Sequence, residues 1–218
     1  MEDIKLIHGD SLQALKGYGD NYFDVAIVDP PYGIGLMKTE KGNWGIRKNN
    51  KGSIDKKTQW DFETPEQEYF DELFRVSKHQ IIWGGNYFID KIKKPSQGWI
   101  VWNKVQRDFT MSDAELAYSS FDKTIRCFDM IRWKSREDNY KNGGKIHQAQ
   151  KPVALYNWIL ENYTEQGDLI LDTHLGSGSI AIACHRMKRK LIGYEIDKEY
   201  YDAACKRFKE QTMQQALW

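Results

Sequence analysis

An α/β fold, with a mixed, mostly parallel sheet and helices on both faces, is the class this sequence predicts. Three observations carry the prediction. Short apolar runs that end in turn residues recur along the 218 residues, and amphipathic helical patterns lie between several of them. The stretch DLILDTHLGSGSIAIACHRMKRKLIGYEID also has the grammar of a nucleotide-binding βαβ unit. A chain of this length holds one domain with a substantial core, so a single domain over residues 1–218 is expected, with insertions rather than a second domain.

The elements follow in order. IKLIHGD is a first strand, and DVAIVDPPYG a second that ends at Asp29 before two prolines. TPEQEYFDELFRVSK is a helix: Tyr69, Phe70, Leu73, Phe74 and Val76 form its apolar face, and Glu66, Asp71, Glu72 and Arg75 its wet one. Thr64 is its expected N-cap and Pro65 its first residue. QIIWGGN, GWIVWNK and ELAYSSF are further strands. KPVALYNWILENYTEQG is a second helix, with Pro152 near its start and Gly167 beyond its end. DLILDTHLGSGS and KLIGYEID supply the last two strands.

Two segments break the layered pattern. Residues 33–59 are rich in Gly, Asn and Lys and read as a long loop, with Lys38, Arg47 and Lys48 among its cations. Residues 122–150 interleave Arg126, Arg132, Lys134, Arg136, Lys141 and Lys145 with Phe128, Trp133 and Tyr140. Each run alone reads equally as a solvated surface. Two of them, in a chain with 32 Lys plus Arg against 31 Asp plus Glu, point towards a groove for a polyanion.

Composition narrows the classes further. Cys127, Cys184 and Cys205 are odd in number and lie in no metal-ligand spacing, which argues against a disulfide framework and a zinc site. A reducing, cytoplasmic setting is expected. MEDIKLIHGDS lacks the apolar core of a secretion signal, and no stretch approaches the ~18 apolar residues of a membrane span. Eight Trp and twelve Tyr serve packing, and they also offer flat faces on which bases stack.

Within the βαβ stretch, a strand over residues 169–171 enters a tight loop with Gly176 and Gly178, and a second strand ends at Glu195. Glycines let backbone approach a ligand, and an acid about 20 residues on can accept hydrogen bonds from both ribose hydroxyls. No Gly-Lys-Ser/Thr closes the loop, so it is not a phosphate-binding P-loop, and Ala181 stands where a third glycine would be. A ribose-bearing cofactor fits this pattern; an ordinary strand-to-helix turn is the alternative.

DPPY at Asp29, Pro30, Pro31 and Tyr32, together with DTHLGSGS from Asp172 through Thr173, His174, Gly176, Ser177 and Gly178 to Ser179, resembles the motifs of S-adenosylmethionine-dependent DNA amino-methyltransferases. The block QKPVALYNWILENYTEQGDLILDTHLGSGSIAIACHRMKRKLIGYEIDKEYYDAACKRF resembles their β group, in which the catalytic tetrapeptide precedes the cofactor loop, and the similarity extends through HGDSLQAL and WGGNYF. The resemblance implies a Rossmann-like methyltransferase fold with circularly permuted motif order. IKLIHGD would be the edge strand beside the one carrying Glu195, so joining the C-terminus to the N-terminus would restore the usual order.

What else it implies is chemical. Asp29 and the carbonyl of Pro30 would accept hydrogen bonds from the target amine, Pro31 would stiffen the turn, and Tyr32 would face a flipped base. Asp10 would reach the cofactor's adenine, Glu195 its ribose, and the helix opened by Lys151 and Pro152 its carboxylate. His174 departs from the family's usual aromatic residue, and would add a hydrogen bond, weaken binding or have no role. WGGNYF would wall the base pocket, residues 33–59 would form a mobile loop over the site, and residues 122–150 a short target-recognition insertion. Double-stranded DNA is the implied partner, contacted by Lys38, Arg47, Lys48, Arg132, Lys134 and Arg136, without metal or membrane. A homodimer is compatible with so short a recognition region, and the small size fits a solitary or phage-borne enzyme. Adenine N6 is the favoured target because the cytosine enzymes more often carry Ser at the Asp29 position. Cytosine N4, a base in RNA and a DNA-binding relative without turnover are the rivals.

Overall fold

The computed structural model describes residues 3–34, 63–107, 112–147 and 149–213. The expected strands are present: β1 (Ile4–His8), β2 (Phe23–Val28), β3 (Ser77–Trp83), β4 (Trp99–Asn103), β5 (Ala114–Ser119), then β7 (Leu169–Asp172) and β8 (Lys190–Glu195). They join one sheet of order β1-β8-β7-β2-β3-β5-β4-β6, in which β6 (Arg126–Asp129) is an addition the sequence did not reveal. Every pairing is parallel except β5 with β3 and β4. The sheet has the permuted order: β8, late in the chain, lies between β1 and β7, with His8 opposite Glu195.

Strand β2 shows why these runs read as continuous apolar stretches. Val25 and Ile27 point into one core with α5 (Val153–Tyr163) and α6 (Ser179–Arg186), while Ala26 and Val28 point into a second with α1 (Ser11–Leu15) and α2 (Gln67–Val76). A parallel strand covered on both faces has no wet side to alternate with. Helix α7 (Lys198–Met213) follows β8 and joins the first core through Ala204.

Helix α2 corrects one expectation. It begins at Gln67 with Glu66 as its N-cap and no side-chain cap. Lys91, on the short helix α3 (Ile89–Ile92), donates to Thr64 Oγ1 (2.6 Å) and to the Pro65 carbonyl (2.5 Å), so both residues are bound to a neighbouring element and lie ahead of the helix. Its apolar face is otherwise as expected, with Tyr69, Phe70, Leu73 and Val76 buried and Phe74 partly so. Pro152 is the N-cap of α5. In the segment 122–150, α4 (Arg132–Lys141) follows β6. Among the described residues no helix is long and apolar enough to cross a membrane, and no group of His, Cys, Asp and Glu could hold a metal ion.

Candidate active site

The chain leaves β7 for α6 on one face of the sheet and leaves β2 towards α2 on the other. Adjacent parallel strands whose connections diverge open a crevice at their C-terminal ends, where open α/β sheets bind ligands. A cleft of about 320 Å³ lies there, lined by Asp29, Tyr32, Lys151, His174, Gly176 and Glu195 among others.

At one end is the glycine loop. Gly176 (φ +51°) donates its N–H to Glu195 Oε2 at 2.7 Å, and Asp197 donates to Oε1 at 2.9 Å. Burial raises the Glu195 carboxyl above its ordinary range, against these backbone N–H groups, which favour the anion. With about four acceptor sites on a carboxylate, these backbone donors leave capacity for a further one. Gly178 (φ +69°) precedes α6, and a Cβ there would stand 3.3 Å from that of Ala204, so this glycine serves close helix packing. Ser177 also lines the cleft and is buried.

Asp172 and Thr173 are buried and are not among the cleft-lining residues. Asp172 Oδ1 accepts from His174 N at 3.0 Å, and burial pushes its carboxyl up to about 8. Thr173 Oγ1 meets Tyr69 Oη at 2.6 Å and His174 Nδ1 at 2.9 Å. His174 thus has its ring held by Thr173 and edge-on to Tyr69, and burial pulls it down to about 4. It folds in the neutral form, so its contribution is complete above the ordinary value of 6.5 and is lost as pH falls towards 4. We expect His174→Phe to lose less stability than the wild type between pH 7 and pH 5 in urea denaturation; equal losses would show that protonation of this ring is not resisted by the fold. Asp10 is the N-cap of α1, its Oδ1 accepting from Leu12 N (2.9 Å) and Gln13 N (3.4 Å), and it is not among the cleft-lining residues.

The other end is built on Asp29. Tyr32 Oη donates to Asp29 Oδ1 at 2.6 Å, and Lys151 Nζ is ion-paired with Asp29 Oδ2. The Lys151 side chain is only 2% exposed; besides Asp29 it reaches Glu115 Oε2 at 3.4 Å, and it lies 5.0 Å from the centre of the Trp83 ring. Burial alone would depress this ammonium, but the charges of Asp29 and Glu115 outweigh it and hold Lys151 above its ordinary value. Glu115 is partly buried, and desolvation would raise its carboxyl, yet Lys151 and Lys104, the latter 2.7 Å away, keep it below the usual carboxylate range. The resemblance placed Lys151 at the start of a helix for the cofactor's carboxylate; its ammonium is engaged with the carboxylate of DPPY. Glu115 and Lys104 were missed, although a lone acid in the apolar run ELAYSSF was a signal of a buried partner.

Tyr32 sits on Gly84 (φ +70°), where a Cβ would fall 2.2 Å from Tyr32 Cε1, and its ring stacks on Tyr87 at 5.1 Å. Trp83 and Trp102 are core residues, whereas Trp133 is 56% exposed. Trp133 belongs to α4, where Arg132, Lys134 and Arg136 are exposed as well. Arg132 and Arg136 are one turn apart, and their charges help to lower Lys145 behind the larger effect of burial. Lys38, Arg47 and Lys48, with most of the 33–59 segment, lie outside the described residues.

Comparison with known proteins gives this geometry a family. The model of the N6/N4 DNA methylase family matches residues 85–206. The type II methyltransferase M.HpaI of Haemophilus parainfluenzae is 27% identical over 96% of this chain and 75% of its own length. M2.DpnII of Streptococcus pneumoniae is 25% identical over 95% of this chain and 90% of its own length. Among solved structures, the M1.HpyAVI–SAM complex superposes with a TM-score of 0.59 at 22% identity, covering 94% of this chain and 98% of its own. The cytosine-N4-specific PvuII DNA methyltransferase gives 0.62 at 16% identity, covering 97% and 92%. With a Rossmann-like sheet in permuted order and a family match over more than half of its length, the chain belongs to the N6/N4 DNA methylases.

Proposed function

We propose that this protein transfers a methyl group from S-adenosylmethionine to N6 of adenine in double-stranded DNA, acting on a base turned out of the helix. The observation that carries the reading is the convergence of Asp29, Tyr32, the glycine loop and Glu195 on one cleft at the switch point of the sheet. The residues present suit this cofactor. Glu195 presents a carboxylate with spare lone pairs beside a loop whose two glycines have positive φ, and the cleft is of a size for a small-molecule ligand. When bound, S-adenosylmethionine supplies an electrophilic methyl group on a sulfonium.

The chain's own residues must then prepare the amine. An exocyclic amine is a poor nucleophile because its lone pair is delocalised into the ring. A carboxylate and a carbonyl that accept from its two N–H groups favour a more tetrahedral nitrogen. Asp29 is the carboxylate and Pro30 the carbonyl, and two consecutive prolines with fixed φ hold them ready before the substrate arrives. Asp29 already accepts from Tyr32 and Lys151, one bond at each oxygen, which leaves one lone pair on each for an incoming N–H. Tyr32 offers a ring for the extruded base, whose extraction costs a few kcal/mol. Asp29, in place of the Ser more frequent in the cytosine enzymes, supports adenine.

Nucleoside mass spectrometry of unmethylated duplex DNA, after incubation with the protein and S-adenosylmethionine, tests this. N6-methyladenine from the wild type and none from Asp29→Ala is expected; N4-methylcytosine would overturn the choice of base. The exposed cations of α4 are proposed to meet phosphates. Arg136→Ala is expected to weaken DNA binding at every sequence and to reduce the slope of log K against log salt by about one. An unchanged slope removes α4 from the interface.

A further inference from the structure

Arg207 is not among the cleft-lining residues, yet it joins the glycine loop to the end of α4. Its side chain is among the largest fully enclosed in the protein, and the residue is 2% exposed. From α7 it donates Nη1 to the Ser177 carbonyl (2.7 Å) and to Ser179 Oγ (3.0 Å), on the glycine loop and the first turn of α6. Its Nε donates to the Asn142 carbonyl (2.6 Å), at the C-cap of α4. Arg186, on α6, donates to Asn142 Oδ1 at 2.7 Å and so repeats the tie. Gly143 (φ +89°) makes room for it, since a Cβ there would stand 2.9 Å from Arg207 Cγ.

The tie continues past Asn142. Gln150 donates to Asn139 Oδ1 and to the Gly144 carbonyl (2.9 Å each) and accepts from Ile146 N (2.9 Å). The next residue is Lys151, on Asp29. A guanidinium is costly to bury, and no carboxylate within ion-pair distance of Arg207 is found among the described residues. Backbone carbonyls from the glycine loop and the end of α4 take that place. Because the planar fork has fixed geometry, movement of one carbonyl is resisted by the bond to the other.

We propose that Arg207 is a positioning residue that couples cofactor binding to DNA binding, by locking the end of α4 to the glycine loop. The proposal rests on the reading above, in which the loop takes S-adenosylmethionine and α4 meets DNA. Occupation of the loop fixes the Ser177 carbonyl, Arg207 transmits that order to Asn142, and α4 is presented to the phosphates at a smaller ordering cost. By linkage, DNA must tighten the cofactor by the same factor.

The test is a binding cycle. The dissociation constant of S-adenosylhomocysteine is measured by calorimetry with and without long unmethylated plasmid DNA, for the wild type, Arg207→Lys and Arg207→Met. The wild type is expected to bind at least about 5-fold tighter with DNA present. That ratio falls towards one in Arg207→Met, and by about half on a logarithmic scale in Arg207→Lys, which keeps the charge and loses the fork. Should Arg207→Met fail to fold, Arg207→Lys carries the test, because a purely structural arginine would change stability and leave the ratio alone. A ratio of one in the wild type, or an undiminished ratio in the folded variants, overturns the coupling. Failure of the wild type to bind either ligand would instead overturn the proposed function.

Discussion

Lys151→Met is expected to remove methyl transfer and to destabilise the protein by about 3–5 kcal/mol, the range for taking one partner from a buried ion pair. The lysine side chain is 2% exposed and that of Asp29 18%. Methionine fills the same space but leaves Asp29 and Glu115 facing each other across an apolar gap with no cation between them. The carboxylate proposed to accept from the target amine then loses the contact that fixes one of its oxygens. Lys151→Arg keeps the charge with a wider head, so it should recover most of the stability and less of the rate. Urea denaturation and single-turnover methylation of the two variants check this. If Lys151→Met proved as stable as the wild type, the ammonium would not be the element that holds Asp29.

Gly84→Ala is expected to lower the rate by about 100-fold or more, the scale of a 1 Å misplacement at a reacting centre. The added methyl would overlap Tyr32 Cε1 at 2.2 Å and Cδ1 at 2.5 Å, and φ at this position is +70°. The ring must move, and with it the hydroxyl that donates to Asp29 Oδ1. The three atoms nearest the added methyl all belong to Tyr32, so cofactor binding should survive while turnover falls. Tyr32→Phe, which keeps the ring and deletes the hydroxyl, separates the two effects. A Gly84→Ala enzyme of normal rate would mean that the Tyr32 ring is free to shift without cost.

These two sites show how far the sequence could be read. Asp29, Gly176 and Glu195 were legible because each ends or follows an apolar run, and such runs fix where a parallel strand stops. Lys151 with Asp29 was not, since the pair spans 122 residues and only the tertiary fold brings them together. Glu115 reaches the same ammonium at 3.4 Å, again only through the tertiary fold. Strand β6 escaped notice because Arg126, Cys127 and Asp129 are exposed and give no apolar signal at an edge. Thr64 and Pro65 had the chemistry of a helix start, but Lys91 claimed them first.

The placement of β8 between β1 and β7 has a consequence for synthesis on the ribosome. Ile4 to His8 emerge first, and their sheet partners, Leu191 to Glu195, emerge only after all the strands between them have been made. Until then β1 has no partner among the described strands, and β2 waits for β7 on one side. Contacts so distant in sequence close slowly and leave strand edges open meanwhile. The glycine loop follows β7 and arrives just ahead of β8. A growing chain therefore carries the DPPY turn with no glycine loop opposite it until β7 and β8 have been made and take their places in the sheet.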